Sequence, residues 1–401
     1  MNVISALICA AWWLLALLLL RNLRNVRLLS ELPVPERDDW PDVAVIMPAR
    51  NEAATLDAGV RSRLGDEYPG LKLVLVNDRS DDDTGAVADT IAAEDPRLTV
   101  IHNSELPAGW LGKVHALQVG VQSTDTPWIL FSDVDVHVGP HAMRAVVHYA
   151  ESEGFDVVAV LPTITSHTLL THALQALFLR ILWAVFDVKA LQNPKSKFGI
   201  GVGAFTLVRR TALEASPGLS AIRMEVADDL MLGRTLKASG ARCSGLNGAG
   251  ATSVDIYPRA RDFVHGAEKN AWGVSANFNL LRGLASVAGF GLFEFGPWLV
   301  LALAADPMLR GFAAATCALA LVASAGALVG NGRRGWPGLL YPLGSALFLW
   351  AMLRGTLIGF ARGGLQWRDS FYTNEAFREF HRERDARLKA ARAAKAAKPQ
   401  R

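Results

Sequence analysis

The chain has 401 residues, of which 51% are hydrophobic and 20% charged, and its formal net charge is +3. That length holds one large domain or two modest ones, and so small a charge argues against a nucleic-acid partner. The three cysteines, Cys9, Cys243 and Cys317, have no C-x-x-C spacing and give no sign of a disulfide framework or a zinc site.

Residues 3–20 are almost wholly apolar and about long enough to span a bilayer. Arg21, Arg24 and Arg27 follow, which favours a cytoplasmic position for what comes next. A secretory signal peptide would carry its charge before the apolar core and a small-residue cleavage site after it. Neither pattern is present, so residues 1–27 are expected to be a retained transmembrane anchor. A proline-containing polar linker covers residues 31–41.

From residue 43 strands alternate with helices. Residues 43–47 read as an apolar strand, followed by the loop Pro48-Ala49-Arg50-Asn51-Glu52 and a helix from about Ala53. A second strand, residues 71–76, is closed by Asn77-Asp78-Arg79-Ser80-Asp81-Asp82-Asp83-Thr84, and a helix runs to about Glu94. Residues 98–101 are a third strand, and a loop ending in Gly112-Lys113 opens another helix. This alternation predicts an α/β domain with a mostly parallel sheet covered on both faces. Each polar cluster falls at the carboxyl edge of a strand, where such sheets bind ligands. The next strand, Trp128-Ile129-Leu130-Phe131-Ser132, runs into Asp133-Val134-Asp135. Side chains two apart on a strand point the same way, so Asp133 and Asp135 present two carboxylates to one spot. Two hard oxygen donors suit Mg²⁺ or Mn²⁺ held jointly with substrate phosphates; an Asp-rich surface turn is the alternative.

Residues 155–161 read as a further strand, and 169–186 as an apolar helix, interrupted by Arg180, that belongs either to a core or to a membrane interface. Residues 199–208 are glycine-rich and then strand-like. Residues 227–238 are helical and open with Asp228-Asp229, acids that a helix N-terminus favours in any case. Residues 259–272 form a helix carrying Arg261, His265, Glu268, Lys269 and Trp272. Beyond Gly283 come three apolar segments, 285–305, 311–330 and 338–353, with Arg333 and Arg334 between the last two and Arg354 at the end of the last. From Arg362 onward eleven Lys/Arg face five Asp/Glu, a basic tail suited to anionic lipid. Four full spans cannot bring the arginines at 21–27, those at 333 and 334, and the tail to one face. One segment is therefore expected to be re-entrant or interfacial: 285–305, whose Glu294 is costly at the bilayer centre, or 338–353, which is short. The expected organisation is an anchor at 1–27, a catalytic domain at 43–282, membrane segments at 283–360 and a basic cytoplasmic tail at 361–401.

The motifs, in this order, resemble those of the family 2 inverting glycosyltransferases with a GT-A fold. Within them they look most like the membrane-anchored hopene-associated and ceramide-glucosyltransferase-like enzymes. The resemblance covers about residues 43–272, with a weaker match through the C-terminal apolar segments. The family's P-x-R-N-E is Pro48 to Glu52; its V-D-D-G-S-x-D is Val76-Asn77-Asp78-Arg79-Ser80-Asp81-Asp82; its G-K is Gly112-Lys113; its D-x-D is Asp133 and Asp135; its E-D-x-x-L is Asp228-Asp229-Leu230-Met231-Leu232. Asn77 replaces an acid and Arg79 a glycine. Glu268-Lys269-Asn270-Ala271-Trp272 keeps only the tryptophan of Q/R-x-x-R-W, with Lys269 supplying the charge, which weakens any case for a processive polymerase. Trp367-Arg368 resembles a short W-R element that follows the last membrane segment in related enzymes.

The resemblance implies a metal-dependent inverting hexosyltransferase of the inner cell membrane, multi-pass, with its catalytic domain in the cytoplasm. It would move a sugar from a nucleotide-diphosphate donor, a UDP-sugar, to a membrane lipid. It assigns Asp135 and Asp133 to Mg²⁺ or Mn²⁺ and Asp229 to the general base. Asp228 then holds the base's orientation or raises its pKa as a like charge. Substrate binding falls to Pro48, Arg50, Glu52, Asp78, Lys113, Asp133, Lys269 and Trp272. Lys113 adds a point charge at the phosphates or is a solvated lysine at a helix start. Asp78 accepts the N3–H of uracil or makes an Asx-type turn. Two other functions compete. A metal-dependent nucleotidyltransferase usually has a glycine-rich phosphate loop after its first strand, and Pro48 to Glu52 contains no glycine. A membrane scaffold that binds a nucleotide sugar without turnover has no need of an intact Asp133, Asp135 and Asp229.

Overall fold

The computed structural model describes residues 2–257, 259–367 and 370–396. Arg368, half of the W-R pair, lies outside the described residues. The apolar runs Val43–Ala49, Leu71–Asp78 and Trp128–Phe131 become parallel neighbours buried almost throughout, as strands covered on both faces must be. The eight-stranded sheet runs Arg27–Leu28, Cys243–Asn247, Val157–Leu161, Thr206–Arg209, Trp128–Phe131, Val43–Ala49, Leu71–Asp78, Leu98–Asn103. Thr206–Arg209 alone is antiparallel to its neighbours. Two of these strands were not expected. Cys243–Asn247 has few strand-forming side chains and owes its place to burial, a Cβ on Gly245 lying 2.7 Å from the Phe186 ring. Arg27–Leu28 pairs with Leu246 and Asn247 and so ties the end of the expected anchor into the catalytic sheet. A smaller sheet follows the D-x-D turn, with Thr252–Val254 between His137–Val138 and Thr163–Ile164.

Among the described residues five helices are long and apolar enough to cross a membrane: Val3–Asn25, Leu169–Gln192, Leu280–Leu303, Pro307–Gly330 and Trp336–Arg362. The segment expected to be short continues as the helix Tyr341–Arg362. Arg354 does not end it, because its guanidinium pairs with Glu268. The helix Leu169–Val185 opens with a reciprocal Thr168–Thr171 cap and packs tightly on Tyr341–Arg362, a Cβ on Gly344 lying 2.1 Å from the Ala173 carbonyl oxygen. Glu294, the acid that made 285–305 doubtful as a span, is fully buried and has partners. It lies 2.6 Å from Arg180 and accepts from Ser345 Oγ at 2.8 Å. The Arg180 guanidinium carbon is 4.3 Å from the Trp12 ring centroid and 4.9 Å from that of Tyr341. One ion pair thus draws on four helices.

The tail folds back. Gly364–Trp367 and Ser370–Thr373 form a hairpin, and Asn374–Ala396 is helical. Phe377 and Phe380 are buried, Arg223 pairs with Glu383 at 2.8 Å, and Glu225 pairs with Arg384. The first turns of the basic tail are therefore docked on the domain that carries Asp228 and Asp229.

Candidate active site

The strand Trp128–Phe131 ends in the turn that carries the two acids, and Asp133 N donates to Gly203 O at 3.1 Å. The helix Ala53–Leu64 comes up behind this turn so closely that a Cβ on Gly59 would lie 2.0 Å from the Val134 carbonyl oxygen. One turn further along, the buried Arg63 donates to Gly59 O (2.8 Å), Ser132 Oγ (2.7 Å), Asp133 O (2.5 Å) and Val134 O (3.2 Å). A single guanidinium thereby satisfies carbonyls that a turn leaves outside the sheet ladder. Burial lowers the Arg63 pKa to about 10, so it is still charged at neutral pH.

Lys113, in the first turn of the helix Gly112–Gln122, lies 2.6 Å from Asp133 Oδ1 and 3.9 Å from Asp228 Oδ2. Asp228 and Asp229 open the helix Asp228–Ala238. Asp229 accepts from Gly203 N at 2.8 Å through one oxygen and from Leu230 N at 2.7 Å through the other. Gly203 is the meeting point. A Cβ there would lie 3.2 Å from Asp133 Oδ2, 3.3 Å from Asp229 Oδ2 and 3.4 Å from Lys113 Nζ. Asp133, Lys113, Asp228 and Asp229 line one cleft of about 290 Å³.

Asp135 and Lys269 lie outside the lining of this cleft, and charge in and around it is unbalanced. Burial pushes Asp135 up to about 7, and the negative charges of Asp133 and Glu52 add to this. Burial likewise pushes Asp228 up to about 6; Lys113 opposes the rise, while Asp229 and Asp133 add to it. Burial works to raise Asp133, but the Lys113 ammonium, Lys269 and Arg63 together hold it below its ordinary value. Lys113 is held above its own because three carboxylates outweigh burial. Burial, reinforced by Lys113, brings Lys269 down to about 8, and its ammonium sits 4.2 Å from the Trp367 ring centroid. Among the described residues no three His, Cys, Asp or Glu side chains form a ready metal cage. A divalent ion would take Asp135 and Asp133 and complete its shell from phosphates and water, the way Mg²⁺ is usually held. Burial and neighbouring negative charge both disfavour the Asp135 carboxylate, and such an ion would offset both, so the residues fit it.

The other expected site residues are placed as follows. Pro48 is in the strand Val43–Ala49, and Arg50 and Glu52 are in the loop after it. That loop is stitched to the Asp-rich loop: Asn51 Oδ1 accepts from Asp81 N, and Thr84 Oγ1 from Glu52 N, both at 2.8 Å. Asp78 is neither an open carboxylate nor an Asx turn. It is buried, takes a bidentate pair from Arg79 at 2.9 and 2.8 Å, and accepts from Asn103 at 2.9 Å. Arg79 has φ 53°, the left-handed region that the family's glycine reaches without strain. Trp272 does not line the cleft. It is 1% exposed, a Cβ on Gly359 would lie 2.3 Å from its ring, and its indole N–H donates to Asn374 Oδ1 at 2.9 Å. Its size puts it under the folded-back tail as a strut.

Sequence reasoning passed over Gly203, Arg63 and Tyr372, whose hydroxyl accepts from Gly112 N at 3.3 Å. The alternation Gly199, Gly201, Gly203 was a usable signal for close backbone approach. Nothing local distinguishes Arg63 from a solvated helix arginine.

A family model described as Glycosyltransferase like family 2 matches residues 41–264, more than half of the chain. The succinoglycan biosynthesis protein ExoO of Rhizobium meliloti is 28% identical over 123 residues, which is 31% of this chain and 34% of that protein. A beta-monoglucosyldiacylglycerol synthase of Synechocystis is 29% identical over 129 residues, 32% of this chain and 26% of that protein. The matched stretch thus spans about a third or less of these relatives. The mannosyltransferase PcManGT from Pyrobaculum calidifontis, solved with GDP-Man and Mn²⁺, aligns with a TM-score of 0.53 at 18% identity over 92% of this chain and 99% of that one. This likeness shows a shared GT-A fold. With the acids and the lysine gathered at the carboxyl edge of such a sheet, the chain belongs to Glycosyltransferase like family 2.

Proposed function

We propose that the protein is a metal-dependent inverting hexosyltransferase that moves a sugar from a nucleotide-diphosphate donor, a UDP-sugar first of all, to a membrane lipid. The observation that carries this reading is the meeting of Asp133, Lys113, Asp228 and Asp229 around Gly203. Asp135 and Asp133 would hold Mg²⁺ or Mn²⁺, which when bound supplies Lewis acidity at the leaving diphosphate. Lys113 adds a point charge for the same phosphates, Lys269 and Glu52 act on the same acids electrostatically, and Arg50, in the loop with Glu52, is assigned to the donor by the family motif alone. Asp229 removes the acceptor hydroxyl's proton as that oxygen bonds to the anomeric carbon. The bond from that carbon to the diphosphate oxygen breaks, and its electron pair leaves with the nucleoside diphosphate. Two backbone N–H donors orient Asp229, and Asp228 keeps a second acid beside it. One displacement without an enzyme nucleophile inverts the anomeric centre.

The apolar helices and the name of the Synechocystis relative support a lipid acceptor and an inner-membrane location. In this reading two of the five helices lie along the bilayer. Leu169–Val185 is flanked by Thr163–Ile164 and Thr206–Arg209, which belong to the catalytic sheets. Tyr341–Arg362 is flanked by Asn331, bonded to Pro162 O and Ile164 N, and by the hairpin leading to Asn374 beneath Trp272. A helix that leaves a domain and returns to it does not cross. Three helices then span, and Arg21, Arg24, Arg27, Arg333, Arg334 and the tail share the catalytic, cytoplasmic face. The test is nucleotide-sugar hydrolysis by the purified enzyme with Mn²⁺, with Mg²⁺ or with chelator. Hydrolysis should need the ion, and Asp135→Ala should lose both hydrolysis and Mn²⁺ binding while its circular dichroism is unchanged. An Asp135→Ala variant with near-normal activity in chelator contradicts the metal assignment.

A further inference from the structure

A second cleft, of about 370 Å³, lies between the apolar helix Leu169–Val185 and the helix Ala260–Asn270 that carries Lys269. Leu174 and Phe178 form one wall, and Ile256, Tyr257 and Phe263 the other. It lies close to the acids. His137–Val138 begins two residues after Asp135, and Thr163–Ile164, at the floor of the cleft, is two strands away across the small sheet. Two strand spacings are about 10 Å. The Tyr257 ring packs against Gly266, one helical turn before Lys269. Leu169, the first residue of the helix that carries Leu174 and Phe178, is 56% exposed.

The lining is uncharged: none of its ten residues is Asp, Glu, Lys, Arg or His. Its polar groups mostly answer one another, Ser166 Oγ bonding Gln175 Oε1 at 2.5 Å and His172 Nδ1 at 2.6 Å. Tyr257 differs. Its hydroxyl has no hydrogen-bond partner among the described residues, and burial holds its pKa above the ordinary value, so it remains a donor. A polyprenyl chain passing through this lining would leave the Tyr257 hydroxyl without an acceptor, because its head-proximal part is hydrocarbon alone. In a diacylglycerol, an ester sits on the carbon next to the one that carries the free hydroxyl, and its oxygens would give Tyr257 an acceptor that offsets their lost hydration.

We propose that this cleft seats the head-proximal chain of an uncharged lipid alcohol of the diacylglycerol type, which enters along Leu169–Val185 and offers its hydroxyl to Asp229. This rests on the lipid-transfer reading above. It also accords with the need for a base, since an alcohol must be deprotonated to attack whereas a phosphate is largely ionised at neutral pH.

The experiment uses the full chain in vesicles doped with dioleoylglycerol or with a polyprenyl phosphate, and labelled nucleotide sugars. Lipid-borne label and nucleotide release without acceptor are measured in parallel. Wild type should label dioleoylglycerol in preference to the polyprenyl phosphate. Leu174→Trp, which puts an indole where the chain would lie, should lower that transfer about tenfold or more, with nucleotide release unchanged. Tyr257→Phe should raise the apparent KM for the lipid. If Leu174→Trp does not fold, a diazirine-bearing diacylglycerol on the wild type decides: adducts on Leu169–Val185 or Ala260–Asn270 support the site, and adducts elsewhere overturn it. Preference for the polyprenyl phosphate, or full transfer by folded Leu174→Trp, also overturns it. No lipid-borne label from any acceptor would instead sink the lipid-transfer reading itself.

Discussion

Asp229 has a structural duty beside the chemical one proposed for it, because each carboxylate oxygen is fixed by a backbone N–H, from Gly203 and from Leu230. An asparagine has one acceptor oxygen and must leave one of these donors unmet, at about 1–3 kcal/mol. Asp229→Asn should therefore unfold slightly earlier, bind donor nearly as well and lose turnover by about 10²–10⁴-fold. Donor titration beside turnover separates the effects. If Asp228→Asn is the dead variant and Asp229→Asn an active one, the two roles are reversed. Arg63 makes a second residue-level test. Arg63→Met strips hydrogen bonds from Ser132, Asp133 and Val134 at once, and Arg63→Lys cannot span them with a single ammonium. Mn²⁺ titration followed by electron paramagnetic resonance should show weakened binding in both, more in the methionine variant. Wild-type Mn²⁺ affinity in a folded Arg63→Met would show that the turn holds its shape unaided. That the acids and Lys113 would gather was legible because each lies at a strand end or a helix start on the sheet's carboxyl edge. Arg63 was not, because its role is created by the helix Ala53–Leu64 meeting a turn about seventy residues away.

At the scale of elements, the buried Arg180–Glu294 pair joins helices that the sequence offers only as separate apolar runs. Breaking a buried pair leaves one charge stranded, which typically costs about 3–5 kcal/mol, whereas replacing both partners by apolar residues is often neutral. Glu294→Ala should markedly lower the thermal midpoint in detergent, and Arg180→Met with Glu294→Leu should recover most of the loss. Equal midpoints for Glu294→Ala and wild type would mean that the four helices hold together without the pair. Helix 169–186 could not be assigned from its own residues, since a core helix and an interfacial one are equally apolar. What the flanking chain adds is an argument against crossing, and that depends on Thr206–Arg209 returning between Val157–Leu161 and Trp128–Phe131.

For the whole molecule, the parallel core was legible in the chain order of Val43–Ala49, Leu71–Asp78 and Trp128–Phe131, each a continuous apolar run that ends in a polar loop. Less legible was how the ends close on it. The first helix enters the sheet through Arg27–Leu28, and the tail folds back so that Trp367 meets Lys269 and Tyr372 meets Gly112. Those contacts join residues some hundred to 260 positions apart and leave no local pattern. The tail contacts bring the C-terminal hairpin beside Lys269 and the start of the helix that carries Lys113. The most direct measurement supplies the purified enzyme in detergent with labelled nucleotide sugar and Mn²⁺, adds either soluble sugars or extracted membrane lipids, and counts label after phase separation. Metal-dependent label in the organic phase, absent with chelator, is the predicted result; label confined to the aqueous phase as a glycosylated soluble sugar would contradict it.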